Sequence, residues 1–315
     1  MRVAIEQARR WNPNVPIIVL SDILAEATAG ETWIPIPSIP KSEAHLRFLE
    51  KTKDNEYYNT FRAGFWRVTA ERLFVLEEWM RSTGTNECIH MENDILFYES
   101  VAHLLPKLRE TSRGISAGFH GQGDDLENQR PQMCFSIMYC CNVDALLDFC
   151  RFLATPSMLN EMERGGDYWL LNEETCSVLP TAPPGTILRS EEFRHWIEVP
   201  SWGQAVFDAM SHGQFIGGED VRNSYKDSRY FALYDDVCTG IFDAATHGQF
   251  IGGEDSKNGD RGPGFVNLSC EFRTDQFTYQ WGSDEGRRFP YILHEGKQWK
   301  IWNLHIHSKR LSEFV

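Results

Sequence analysis

No two of the eight cysteines stand in C-x-x-C spacing, and no window approaches the roughly twenty apolar residues that span a bilayer. Runs of lysine and arginine are also missing. The first absence argues against a structural zinc site and the second against a membrane span. The third joins a net charge of −14, from 31 basic and 45 acidic residues, to argue against nucleic acid as a partner, because phosphate neutralisation needs a basic face. An acidic chain can still take a nucleotide if a cation mediates the contact. The N-terminal MRVAIEQARRWNPN has no apolar core of the kind a signal peptide needs. The cysteines fall largely in apolar runs such as CFSIMYCCNVDALLDFC (134–150) and read as small core residues, which fits a reduced, cytoplasmic compartment. The sequon Asn267-Leu268-Ser269 would count against that only in a secreted protein.

What is present reads as α/β. The N-terminal segment patterns as an amphipathic helix ending at Asn12-Pro13, and VPIIVLSD (15–22) as a buried parallel strand. The chain is therefore expected to start inside a helix that in an α/β order follows a strand, the expectation being that a first strand has been lost or that Met1 is not the natural start. Asp22, at the carboxyl end of that strand, is a candidate ligand contact or a helix cap. ETWIPIPSIPKSE (31–43), with three prolines, is expected at a surface or cleft edge. RAGFWRVTAERLFVLEEWMRSTG (62–84) carries the strongest helical pattern, with Trp66, Ala70, Leu73, Leu76 and Met80 on one face. ECIHMENDILFY (87–98) reads as strand, polar break, strand. RGISAGFH (113–120) and CFSIMYCC (134–141) are further strands, and NVDALLDFCRFLA (142–154) is a helix starting on Asn142.

The second half contains a local duplication. VFDAMSHGQFIGGED (206–220) returns as IFDAATHGQFIGGED (241–255), offset by 35 residues, with HGQFIGGED identical in both copies. No third copy exists, so a solenoid is not expected. The second copy runs on into glycine-rich SKNGDRGPGFVN and reads as the older of the two.

Two constellations could carry chemistry. In Glu92-Asn93-Asp94, two carboxylates one residue apart end an apolar strand, where both can reach one hard divalent cation, or one a cation and the other a ribose. The plainer reading is a polar turn. WKIWNLHIHSKRLSEF (299–314) reads as one strand with Ile301, Leu304 and Ile306 inward. There His305 and His307, two apart, share a side, and Ser308 and Lys309 follow. One histidine could complete a metal shell, while Ser308 and Lys309 reach phosphate oxygens; either histidine could equally be a hydrogen-bonded core residue.

HMENDILFY resembles the Asp-x-Asp segment of the nucleotide-sugar glycosyltransferases of the GT-A fold, with Glu in the first place. NLHIHSK resembles the C-terminal segment in which many of them place a third metal ligand and a phosphate-binding lysine. The resemblance implies a GT-A-like (Rossmann-like) central mixed sheet flanked by helices, with the first strand in question. It covers residues 1 to about 150 in architecture and the tail in motif. It also implies transfer of a sugar from a nucleotide-diphosphate donor to a glycan or other hydroxyl acceptor with Mn²⁺ or Mg²⁺. Residues 1–154 would be the nucleotide-sugar half, and 155–315 the acceptor half closed by the tail. Asp94, Glu92 and His305 or His307 would hold the metal. Arg62, Arg67, Asn93, Asp22, Ser308 and Lys309 would face the nucleotide or its phosphates. If the reaction inverts configuration, Asp255, Asp220 or Asp167 would be the base. The alternatives are a carbohydrate-binding or scaffold protein without turnover, and a metal-dependent hydrolase.

Overall fold

The computed structural model describes residues 1–23, 25–60, 64–122, 130–155, 157–188, 191–198, 202–213, 272, 276–306 and 311–315. The architecture is mixed α/β. Helix α1 (Arg2–Trp11) leads to strand β1 (Ile18–Ser21), which is parallel as expected, but half-buried where a buried strand was expected; its partner is β2 (Thr32–Pro35), from the proline-rich segment expected at a surface or cleft edge. The prolines that follow take a short 3-10 turn at Ile36–Ser38. Helix α2 (Glu43–Thr52) starts on Ser42, whose side chain accepts the His45 amide, and α3 (Glu56–Thr60) follows.

Helix α4 (Phe65–Thr83) buries Ala70, Leu73, Leu76 and Met80, the face its periodicity marks. It stops at Gly84, whose φ of +68° is the left-handed conformation that lets the Thr85 amide reach back to the Met80 carbonyl. The chain then enters β3 (Cys88–Met91), turns, and leaves as β4 (Ile95–Phe97). Helix α5 (Val101–Thr111) is tied to α1 through Asn12, whose buried amide donates to the Glu99 carbonyl and accepts the Val101 amide.

A four-stranded mixed sheet has the order β3-β6-β5-β7, with β5 (Ile115–Gln122), β6 (Pro131–Cys140) and β7 (Cys176–Leu179). The β6 strand pairs antiparallel with β3 and β5, and β7 lies parallel to β5. Helices α6 (Val143–Leu153) and α7 (Glu161–Leu171) are capped by Asn142 and by an Asn160–Glu163 capping box. Glycine brings α7 unusually close to the sheet: a Cβ on Gly166 would stand 1.8 Å from the Pro131 carbonyl oxygen. One hydrophobic cluster joins both halves of the chain, from Trp11 through Phe74, Phe135 and Trp169 to Ile301, Leu304 and Leu311. The cysteines among the described residues are free thiols; Cys134, Cys140, Cys150 and Cys176 are buried. Burial pushes the Cys140 and Cys176 thiols up to about 12, so both are inert core residues as expected.

Beyond the short helix α8 (Arg194–Ile197), β8 (Ala205–Val206) adds to a second sheet of order β8-β11-β10-β9. Strands β9 (Thr278–Asp284), β10 (Arg287–His294) and β11 (Lys297–Ile301) form a meander that sequence reading did not anticipate. Its two hairpins turn on Glu285-Gly286 and Glu295-Gly296, with φ of +49° and +77° in the first and +49° and +73° in the second. Positive φ at both positions is the I′-type geometry that suits strand twist.

The segment expected to be one strand over 299–306 is two. It breaks at Trp302, whose amide donates to the Val206 carbonyl and whose carbonyl accepts the Tyr98 amide. Strand β12 (Asn303–His305) thereby leaves the meander and pairs antiparallel with β4. No helix among the described residues is long and apolar enough to cross a membrane.

Candidate functional site

The tail folds back onto the carboxylate triplet. The β4–β12 register sets His305 opposite Ile95, one residue beyond Asp94, and the Ile306 amide donates to the Asp94 carbonyl at 3.0 Å. On the other side, the Glu92 amide donates to the Ser136 carbonyl on β6, and the Ile95 amide closes the turn onto Glu92. A turn pinned to β6 on one side and to the end of β12 on the other therefore carries the triplet. Asn93, at its tip, is exposed, whereas Asp94 is 3% exposed and His305 6%.

One ligand atom each from Glu92, Asp94 and His305 lie within 4.8 Å of one another. His305 Nε2 is 3.3 Å from Asp94 Oδ2 and 3.8 Å from Glu92 Oε2. Its other ring nitrogen, Nδ1, donates to the Ala209 carbonyl at 2.9 Å. Burial works against the imidazolium, yet Asp94, with smaller contributions from Cys134 and Glu92, outweighs it and raises the pKa well above the usual histidine value. A proton at Nε2 thus sits where two carboxylates converge, a place that favours positive charge. Two carboxylate oxygens and an imidazole nitrogen form a donor set that suits a divalent first-row cation, with positions left over for other oxygen ligands.

Arg72, in the middle of α4, frames the cluster. Its guanidinium is 2.7 Å from Glu92 Oε1 and 3.8 Å from Glu161 Oε1 at the start of α7. Burial disfavours its charge, but Glu92 and Glu161 more than offset this and its pKa rises. Glu161, 2% exposed, also has a raised pKa, but for it burial is the cause and prevails against the pull of Arg72.

The sequence-derived candidates divide clearly. Glu92, Asp94 and His305 come together. Asp22 is exposed just past β1, and Arg67 is half-buried in the first turn of α4. Asp167, on α7, is ion-paired with Arg130 at 2.8 Å. Arg62, Asp220, Asp255, His307, Ser308 and Lys309 lie outside the described residues. Arg72, Glu161, Asp208 and the Ala209 carbonyl were not singled out from sequence. A signal for Arg72 existed in its place on the helix leading into the triplet; nothing local marked the others.

The fold and the cluster define a mixed α/β protein with a carboxylate–imidazole centre at a strand end. No family model matches the chain, and no curated protein matches it. Among solved structures, the crystal structure of mouse xyloside xylosyltransferase 1 in its apo form is similar over 48% of this chain and 62% of that one. The identity is 10% and the TM-score 0.31, a weak fold-level likeness.

Proposed function

We propose that the chain transfers a sugar from a nucleotide-diphosphate donor to a carbohydrate or other hydroxyl acceptor with a divalent metal. The observation that carries this reading is the meeting of Glu92 and Asp94 with His305 across some two hundred residues of sequence. Asp94 and His305 would be the buried donors, and half-buried Glu92 the one nearest solvent, steadied by Arg72. When bound, Mn²⁺ or Mg²⁺ supplies Lewis-acid stabilisation of the charge that gathers on the leaving diphosphate. The His305 ring, held at Nδ1, keeps Nε2 aimed at the two carboxylates, so the donors are preorganised.

The finer assignments belong to the same proposal. Residues 1–154 would serve the donor and 155–315 the acceptor. Asn93, Arg62, Arg67, Asp22, Ser308 and Lys309 would meet the nucleotide and its phosphates, and His307 is the alternative metal ligand. Asp255, Asp220 or Asp167 would act as base in an inverting reaction; Asp167 would first have to part from Arg130. Free thiols among the described cysteines favour a cytoplasmic setting.

The test is a panel of nucleotide sugars incubated with the protein and Mn²⁺, with donor hydrolysis and product anomer read together. Metal-dependent turnover of one donor is expected, and Asp94→Ala should abolish it, with a loss of at least about 100-fold, while the fold persists. Metal-dependent nucleotide binding without turnover would favour the binding-protein alternative. Absence of both would end the proposal.

A further inference from the structure

We propose that Asp208 is a positioning residue for His305, and that the first copy of the duplicated segment is the one that braces this ligand. The inference rests on the reading of Glu92, Asp94 and His305 as metal donors. Asp208 is fully buried, and its carboxylate is met by four backbone amides. Oδ1 accepts from Ser211 at 2.8 Å and His212 at 2.9 Å; Oδ2 accepts from Gly213 at 2.6 Å and from His305 at 2.8 Å. A buried carboxylate is costly unless hydrogen-bonded, and bonds to a charged acceptor are the strong ones. The first three amides belong to one turn and would suffice for a local cap. The fourth reaches a strand far along the chain and fixes the backbone of the proposed metal ligand.

The next residue fixes its ring. The Ala209 carbonyl can only accept, so His305 Nδ1 must donate to it, which leaves Nε2 for the carboxylates. Ser136 on β6 donates to the same carbonyl at 3.0 Å and holds it against the sheet. Asn303 completes the clasp: its Oδ1 accepts the Asp208 amide at 3.1 Å, and its Nδ2 donates to the Asp208 carbonyl at 2.8 Å. Gly213 is the residue that permits this approach, because a Cβ there would lie 2.3 Å from the His305 carbonyl oxygen and 2.6 Å from Asp208 Oδ2.

Both copies contain the same pieces, Phe-Asp-Ala followed by His-Gly. Those at the cluster are Phe207-Asp208-Ala209 and His212-Gly213, of the first. The older appearance of the second copy therefore does not decide which one works at the site. Asp243 is the matching aspartate of the second copy and provides an internal control.

The experiment compares the full chain with Asp208→Asn, Asp208→Ser and Asp243→Ser. Serine can still cap the 211–212 amides but is too short to reach His305, so it retains the turn if asparagine does not. Mn²⁺ affinity is read by calorimetry, amide exchange at His305 by mass spectrometry without metal, and folding by near-ultraviolet circular dichroism. Both Asp208 variants are expected to lose about 10–100-fold in Mn²⁺ affinity with faster His305 exchange, while Asp243→Ser matches the wild type. Unchanged affinity in a folded Asp208 variant, or the loss falling on Asp243→Ser instead, would overturn the proposal. A wild type that binds no Mn²⁺ retires the metal reading; exchange at His305 then decides the clasp alone, which stands if only Asp208 variants accelerate it and falls otherwise.

Discussion

His45 illustrates how much a single residue's setting decides. It is fully buried, with Nδ1 3.0 Å from Glu78 and Nε2 3.0 Å from Glu71. Burial disfavours the imidazolium, but hydrogen bonds to Glu71 and Glu78 prevail and raise its pKa above 6.5. A histidine whose folded pKa exceeds its unfolded one adds stability that is complete below the unfolded value and is lost as pH rises through the folded value. His45→Gln should therefore be destabilising at pH 6, and the gap to wild type should narrow towards pH 9 in urea titrations. A gap independent of pH would show that His45 acts as a neutral hydrogen-bonding group. At this scale the sequence is legible where spacing itself is chemical. Glu92 and Asp94 stand out because two carboxylates end an apolar strand, and His305 because it closes another. Asp208 and His45 are not legible, and Arg72 only by its place on the helix before the triplet, since their partners are set by how helices and turns meet in space.

Two glycines separate two kinds of element-level constraint. Gly84 has φ of +68° and open space around it, so Gly84→Ala meets only left-handed backbone strain, about 1 kcal/mol. Gly166 lies within α7, where an added methyl would collide with the backbone of Pro131; Gly166→Ala should cost about 3 kcal/mol or more. Denaturant melts of the two variants check the order, and equal losses would mean that α7 can move off β6. Because Glu161 begins α7, the larger lesion should also disturb Arg72. Among elements, α4 and α6 were readable from apolar period and caps, and β6 from its apolar run. The division of 297–305 into β11 and β12 was not, because Ile301, Leu304 and Ile306 are all buried on either side of it. Only the exchange of hydrogen-bonding partners at Trp302 reveals the break. The meander's Glu-Gly turns were missed for a related reason: a non-glycine residue at positive φ leaves little trace in composition.

For the whole molecule, the duplication offers a clean rearrangement. Removing residues 214–248 joins Gly213 to Gln249, so that the anchoring VFDAMSHG runs directly into the remaining QFIGGED and the glycine-rich stretch. If the clasp around Asp208 is what the site needs from this region, the shortened chain should fold with a melting temperature within a few degrees of the parent and keep its Mn²⁺ affinity within about threefold. Collapse of either would show that the intervening residues are part of the working protein. The broad α/β class was visible in the alternation of the first half, whereas the second half gave little because its ordering contacts run to the first: β12 to β4, and the Ala209 carbonyl to Ser136 on β6.

The pairing of β4 with β12 also places the site in time. During translation, Ile95 leaves the ribosome about 200 residues ahead of His305, an interval of about 10–40 s at ordinary elongation rates. Throughout it Glu92 and Asp94 can meet no imidazole from this strand, and β4 waits without the neighbour that later covers it. If the cluster holds a cation as proposed, the nascent chain would be a poor scavenger of metal until its distal strand arrives, and cation capture would report that nearly everything before that strand has already been made.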